Sequence, residues 1–185
     1  MELSELLERL ATLSRAERRA AGAELKLNPA QLDALTYLSR CNRYSDTPAA
    51  LADFLGCSRG TVSQTLLALE RKGFVEKAPD SADRRVVHCS LTAPGKRALA
   101  AAAARDPLAR GLEQLSEEDK DRVTDLLLPV LASAQEARGG LTFGLCKTCV
   151  HFRRRGRRYQ CGLTGEPLTT AESKLICREH QPSGA

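Results

Sequence analysis

No apolar stretch of this chain is long enough to cross a membrane. A spanning helix needs ~18 or more consecutive apolar residues. The longest candidates, residues 98–104 and 126–132, hold seven each, and the second contains Pro129. The N-terminal MELSELLERL mixes acidic residues with its leucines and lacks a basic-then-apolar leader layout. These absences point to a cytoplasmic protein without a membrane partner. Catalytic signatures are missing too. No nucleophile–base pair and no glycine-rich phosphate loop occurs, and the three histidines are scattered, so an enzyme is not expected. Net charge is scarce over most of the chain. Residues 1–140 hold 20 Lys+Arg against 20 Asp+Glu, and the whole +5 excess lies in residues 141–185, with 8 against 3.

What is present is organised around residues 47–95. Thr47-Pro48 is a helix start: a hydroxyl that can cap, then proline at the first helical position. Leu51, Phe54 and Leu55 follow at helical spacing, Gly56 stops the helix, and Ser58 caps the next. Two helices joined this tightly make a helix-turn-helix, whose second helix can enter a DNA major groove. On that second helix, 59–72, Val62, Thr65, Leu66 and Leu69 fall on one face. Arg59, Gly60, Ser63, Gln64, Leu67 and Arg71 fall outward. Small residues let a helix approach base edges; Gln64 can pair with adenine, Ser63 with several bases, and Arg71 with phosphate or guanine.

The next residues read as a two-stranded wing. Phe74–Lys77 alternates as a strand, Pro79-Asp80-Ser81-Ala82 is turn chemistry, and 85–91 returns with Val87, Cys89 and Leu91 on one face. The tip carries Asp83, Arg84 and Arg85, and an arginine there can enter a minor groove. Against this stands the charge of 47–92, only 6 positive against 5 negative, modest for a DNA binder. Arg59, Arg71, Lys72, Arg84 and Arg85 would have to share one surface.

The segment LERKGFVEKAPDSADRRVVHCSLTAPG resembles the winged helix of the multiple-antibiotic-resistance regulator (MarR) family. Its motif, Asp-x-Arg, five residues, Leu-Thr-x-x-Gly, is met by Asp83, Arg85, Leu91, Thr92 and Gly95. The resemblance covers roughly residues 1–138. It implies a homodimeric transcription factor, read here as a repressor, that binds a pseudo-palindromic operator in double-stranded DNA. It also implies that Asp83 braces Arg85, and it leaves room for a small-molecule or redox effector.

The flanking segments fit a mainly α domain with a small β wing. Residues 2–26 form an amphipathic helix striped by Leu3, Leu6, Leu7, Leu10 and Leu13. Its stripe needs a partner, and the resemblance implies a subunit interface shared with the C-terminal helix. Asn28-Pro29-Ala30-Gln31 starts a second helix with a capping box, closed at Cys41. Thr92-Ala93-Pro94 opens an alanine-rich helix to about 105, interrupted by Asp106-Pro107. Ser116 to Asp119 caps a last helix to about 138, in which Pro129 should produce a kink. The expected division is therefore 1–138 for the winged-helix and dimerisation domain, 139–145 for a linker opened by Gly139-Gly140, and 146–182 for a cysteine-rich module.

In that module the cysteines fall as Cys146-x2-Cys149, eleven residues, Cys161, fifteen residues, Cys177. Two thiolates two residues apart can grip one ion, and two more arriving by hairpin and helix complete a tetrahedron. Four sulfurs suit Zn²⁺ or, alternatively, an iron–sulfur cluster. His151 or His180 could replace a sulfur, His180 standing one helical turn past Cys177. So short a segment has few large apolar residues, and a structural metal would supply the missing stability. The run 153–158 (RRRGRR) reads as a hairpin tip, either solvated or clamping phosphate. The remaining Cys41, Cys57 and Cys89 are buried structural thiols or oxidant sensors. Two further readings stay open: a metal- or redox-sensing switch, and a winged-helix protein-interaction adaptor without DNA.

Overall fold

The computed structural model describes residues 1–182 apart from 105, 138, 140 and 157. The ends expected near 105 and 138, the second boundary glycine at 140 and one arginine of the basic run therefore lie outside the described residues. The helices are α1 (Leu3–Glu24), α2 (Pro29–Leu38), α3 (Pro48–Leu55), α4 (Arg59–Arg71), α5 (Ala93–Ala103), α6 (Pro107–Glu113) and α7 (Glu117–Ala137). The wing is β1 (Val75–Pro79) against β2 (Val87–Leu91), antiparallel, with Val75 opposite Leu91 and Pro79 opposite Val87.

Local chemistry sets most of these ends. The Asn28 side chain accepts from Gln31 N while Gln31 reaches back to Asn28 N. Thr47, Ser58 and Thr92 each cap their helix through a side-chain oxygen. Gly56 ends α3 at φ 63°, a left-handed conformation that glycine adopts without a Cβ clash. The tight α3–α4 turn follows from that one residue.

The core lies where α2, α3, α4 and the wing meet. Leu32, Leu35, Tyr37, Leu51, Val62, Leu66, Leu69 and Cys89 are all buried there. Each large aliphatic chain so buried contributes roughly 1.5–3 kcal/mol. These residues hold α4 by one side only, which leaves its other side to solvent.

Helix α7 is different. None of its residues is buried, and Val123, Leu126, Val130 and Leu131 stand exposed. It continues through Pro129 to Ala137, so the proline does not end the helix. On α1, Leu3, Leu6 and Leu13 are exposed as well. Where the sequence suggests only an interruption at Asp106-Pro107, helix α6 forms, and Asp106 caps it by accepting from Leu108 N.

The tail holds β3 (Gly144–Leu145), β4 (Phe152–Arg155), β5 (Arg158–Cys161), β6 (Pro167–Leu168) and β7 (Ile176–Cys177). β3 pairs with β7, and β4-β5-β6 form an antiparallel meander. Its small core is Cys146, Leu168 and Cys177 with Phe152, Tyr159 and Cys161 packed on. Two expectations are corrected here. Cys177 lies on a strand, so it shares no helical turn with His180. The span 139–145 is not a plain linker: Phe143 is buried in the main core, its ring 5.2 Å from Phe54 and 6.4 Å from Tyr37. Beside it, Ile176 N donates to Arg40 O and Asn42 N donates to Ile176 O. The tail is thereby sewn to the loop between α2 and α3.

Candidate functional site

Helix α4 buries Val62, Leu66 and Leu69 and leaves Arg59, Gly60, Ser63, Gln64 and Arg71 exposed, with Leu67 half-buried. Thr65, expected inward, is half-buried and donates back to Thr61 O. The outward strip is thus small and polar around Ser63 and Gln64, with an arginine near each end. Lys72 does not join it. Its ammonium turns to Lys26 O and Gln31 Oε1, tying α4 to the α1–α2 turn. Arg59, Arg71 and Arg84 are exposed and make no ion pair among the described residues.

The wing tip is built by acidic side chains. Asp80 Oδ1 accepts from Ala82 N at 2.7 Å and Asp83 N at 2.8 Å, which shapes the turn. Asp83 then accepts from Arg85 at Nε and Nη2, at 2.9 and 2.7 Å, a two-point brace. The Arg85 side chain remains 90% exposed. Hydrogen bonding to Arg85 holds the Asp83 carboxyl below the usual carboxylate range.

Beneath the tip lies a feature that spacing alone did not reveal. His88 sits between two carboxylates, Nδ1 on Asp46 Oδ1 and Nε2 on Asp80 Oδ2. The hydrogen bond to Asp46 is the largest of several effects that raise its pKa. Asp46 in turn is held above the usual carboxylate range by burial, against the pull of His88. The sequence signal available is the Pro-Asp-Ser-Ala turn, which places Asp80 near His88 but not Asp46, the distant second partner of His88. Because the folded-state pKa of His88 is raised above the ordinary ~6.5, its stabilisation is fully present below that value and fades as pH rises through the folded-state pKa. An NMR titration of the His88 ring is expected to show a midpoint above the ordinary value. Backbone amides of β1 and β2 should exchange faster, after correction for intrinsic rates, on the alkaline side of that midpoint. An unshifted midpoint would remove the ion-pair assignment.

In the tail, Cys146, Cys149, Cys161 and Cys177 all line one cavity of about 20 Å³, joined by His151, Phe152 and Leu168. That volume holds roughly one water-sized sphere. All seven cysteines of the chain are free thiols. Cys146 and Cys177 are close enough to influence each other, which holds the first thiol above and the second below the ordinary thiol range. Polar donors converge on the sulfurs: Asn42 Nδ2 to Cys146 Sγ at 3.3 Å, and Gln181 N to Cys149 Sγ at 3.5 Å. His151 Nε2 is buried without a hydrogen-bond partner among the described residues. Such an orphan, with four sulfurs around one cavity, is the donor chemistry of a metal site. Among the described residues no three such donors yet form a ready ligand shell. The fit therefore lies in donor type and cavity size. His180 does not face the sulfurs, since its ring nitrogens meet Thr142 Oγ1 and Thr148 Oγ1.

Of the other cysteines, Cys41 and Cys89 are buried. Burial pushes the Cys41 thiol up to about 12 and the Cys89 thiol up to about 11, so little reactive thiolate forms near neutrality. Cys57 is half-buried in the α3–α4 turn.

Comparison with known proteins bears on the winged helix and not on the tail. Residues 25–86 match the MarR family model. S. aureus MepR in its DNA-binding conformation is 26% identical, with 73% of this chain and 100% of that chain covered at a TM-score of 0.63. A MepR mutant bound to an oligodeoxyribonucleotide is also 26% identical, covering 73% and 99% at a TM-score of 0.50. YwaE of Bacillus subtilis, described as an uncharacterised HTH-type transcriptional regulator, is 41% identical over 49 residues. That match spans 26% of this chain and only 29% of YwaE.

Proposed function

We infer, from a MarR-family winged helix at residues 25–86, that this chain is a transcriptional regulator that binds double-stranded DNA as a homodimer. The observation that carries the reading is the exposed α4 strip beside an arginine braced by Asp83. Each protomer would lay Arg59, Gly60, Ser63, Gln64, Leu67 and Arg71 along a major groove. Arg84 and Arg85 would then enter the adjoining minor groove. Two-fold symmetry of the dimer matches a pseudo-palindromic operator. Occupying that operator blocks access to it, so repression is the expected sense.

The second copy is called for by α7. A lone helix in water is marginal, and among its described residues this one has none fully buried, Leu127, Leu128 and Ala132 being only half-buried. The exposed leucines of α1 extend the same need. Between α7 and the tail lies a cavity of about 650 Å³, lined in part by Leu128, Pro129, Phe143 and His180. Its size suits a small-molecule effector.

In the tail, Cys146, Cys149, Cys161 and Cys177 would hold Zn²⁺, with His151 facing the same cavity as a substitute ligand. Bound there, the ion would supply folding stability to a module with a very small apolar core. A cavity near the size of one ion favours Zn²⁺ over the bulkier iron–sulfur cluster. Elemental analysis should find one zinc per chain and the visible spectrum should be blank; a coloured protein containing iron would replace zinc with the cluster.

Arg85→Ala is expected to weaken operator binding by about 1–3 kcal/mol, roughly 5- to 150-fold, without changing thermal stability. A gel-shift titration checks this, and unchanged affinity would overturn the wing assignment. Wild-type affinity should also fall steeply with salt. A protein-interaction adaptor would show no salt-dependent duplex binding at all.

A further inference from the structure

The sulfur cavity does not belong to the tail alone. Two of the chain's buried polar side chains, Asn42 at 2% and Ser45 at 0% exposure, reach it from the loop between α2 and α3. Asn42 donates to Cys146 Sγ. Ser45 Oγ accepts at 2.8 Å from the backbone N of Arg178, the residue that follows Cys177. The carbonyl of Ser45 accepts from Tyr37 OH at 2.7 Å, which anchors the loop in the core. Arg178, next to Cys177, also pairs with Asp53 on α3 at 2.7 Å.

The same loop grips the DNA-facing parts from its other end. Asp46 O accepts from Cys89 N at 2.7 Å, and its carboxylate holds His88. His88 holds Asp80, Asp80 shapes the turn containing Asp83, and Asp83 braces Arg85. Thr47, the next residue, caps α3. Five consecutive residues, 42–46, thus join the sulfur cluster to the wing arginine and to the first helix of the helix-turn-helix.

We propose that metal occupancy of the four-cysteine site regulates DNA binding through loop 42–46, which couples Cys146 and Cys177 to α3 and to the wing. This rests on reading the tail as a metal centre. Binding a divalent ion to four thiols releases their protons and draws the sulfurs toward one point. Asn42 and Ser45 are buried, and a buried polar group left without its partner is strongly disfavoured. Asn42 must follow the Cys146 sulfur and Ser45 the Arg178 amide beside Cys177, and the backbone of Asp46 follows them. Loaded, the loop holds Asp46 where His88 and Cys89 meet it, and the wing is set for the groove. Stripped, that register relaxes and affinity falls. Coupling between two sites is commonly worth about 5- to 150-fold, so a loss of roughly tenfold is expected on stripping.

The test uses the full-length protein and a duplex selected by the zinc-loaded form from a random library. Affinity is measured by fluorescence anisotropy on loaded, chelator-stripped and zinc-reloaded samples, with metal content and far-ultraviolet circular dichroism recorded on each. A roughly tenfold loss that zinc reverses, with helix content retained, supports the proposal. Equal affinities at full and zero zinc overturn it while leaving the metal site intact. A protein that never binds zinc or iron overturns the metal reading and this proposal together. The His88→Leu variant breaks the link without touching the sulfurs. It should bind zinc as wild type does, and its loaded and stripped affinities should converge. If it responds to stripping as strongly as wild type, or if stripping acts only by unfolding the chain, the loop is not the route.

Discussion

Placing glutamate at both Leu126 and Val130 is expected to turn the proposed dimer into a monomer and to remove the proposed specific DNA binding. The two side chains are 73% and 54% exposed on a helix with no buried residue. In a two-fold interface each would leave water, at roughly 1.5–3 kcal/mol per side chain. The variant removes that gain and puts four carboxylates into the same seam. Unpaired charge in an apolar seam is unfavourable by several kcal/mol. A loss of only ~4 kcal/mol raises a dissociation constant about a thousandfold. Sedimentation equilibrium at micromolar concentration should report a monomer whose circular dichroism still shows α2 to α5. Gel shifts should lose the specific band, because one protomer covers one half-site. An unchanged molecular weight would place the interface elsewhere.

Gly95→Ala is expected to destabilise the domain by about 1–3 kcal/mol or more, in the manner of an overpacked core. A Cβ at Gly95 would sit 2.1 Å from Phe74 O and 3.0 Å from Phe74 C. Both are backbone atoms, so no side chain can swing away. The same carbonyl accepts from Thr92 N at 3.1 Å, and Thr92 Oγ1 donates to Gly73 O at 2.6 Å. The start of α5 is therefore pressed against the base of the wing, and the alanine must part them. Thermal unfolding should drop by ~2–4 °C for each kcal/mol lost in a domain of this size. Gly111→Ala is the control. Nothing lies within 4 Å of its added methyl, and a helix gains up to ~1 kcal/mol from alanine over glycine. It should be neutral or mildly stabilising. If both variants behave alike, close approach is not the reason for the motif glycine.

The residues that announced themselves in the sequence were those whose partners lie within a few positions. Asn28 and Gln31, Thr47 and Pro48, Ser58, and Thr92 fixed where four helices begin, because a cap bonds only to its own first turn. The α4 strip followed from a 100° period anchored by Val62, Leu66 and Leu69. Asp106-Pro107 carried the same kind of start signal, and α6 was missed because the pair was read as a break. Pairings across long separations left no such mark. Lys72 turns to Lys26 O, Ile176 joins Arg40 and Asn42, and His88 meets Asp46. For that reason the tail's sulfurs were legible as a set, whereas Asn42 and Ser45 beside them were not. Cys177 was placed on a helix on local grounds alone, and pairing with β3 made it a strand.

Phe143 keeps a left-handed backbone, φ 40°, which a bulky residue adopts at a penalty of roughly 1–3 kcal/mol. The ring it delivers stacks edge-on against Phe54 and Tyr37. A shortened protein ending before that residue would be uncorked at α2 and α3, baring Tyr37 and more of Phe54 to water. The appendage is a stopper, and trimming it should yield a sticky, aggregation-prone remnant instead of a minimal winged-helix domain.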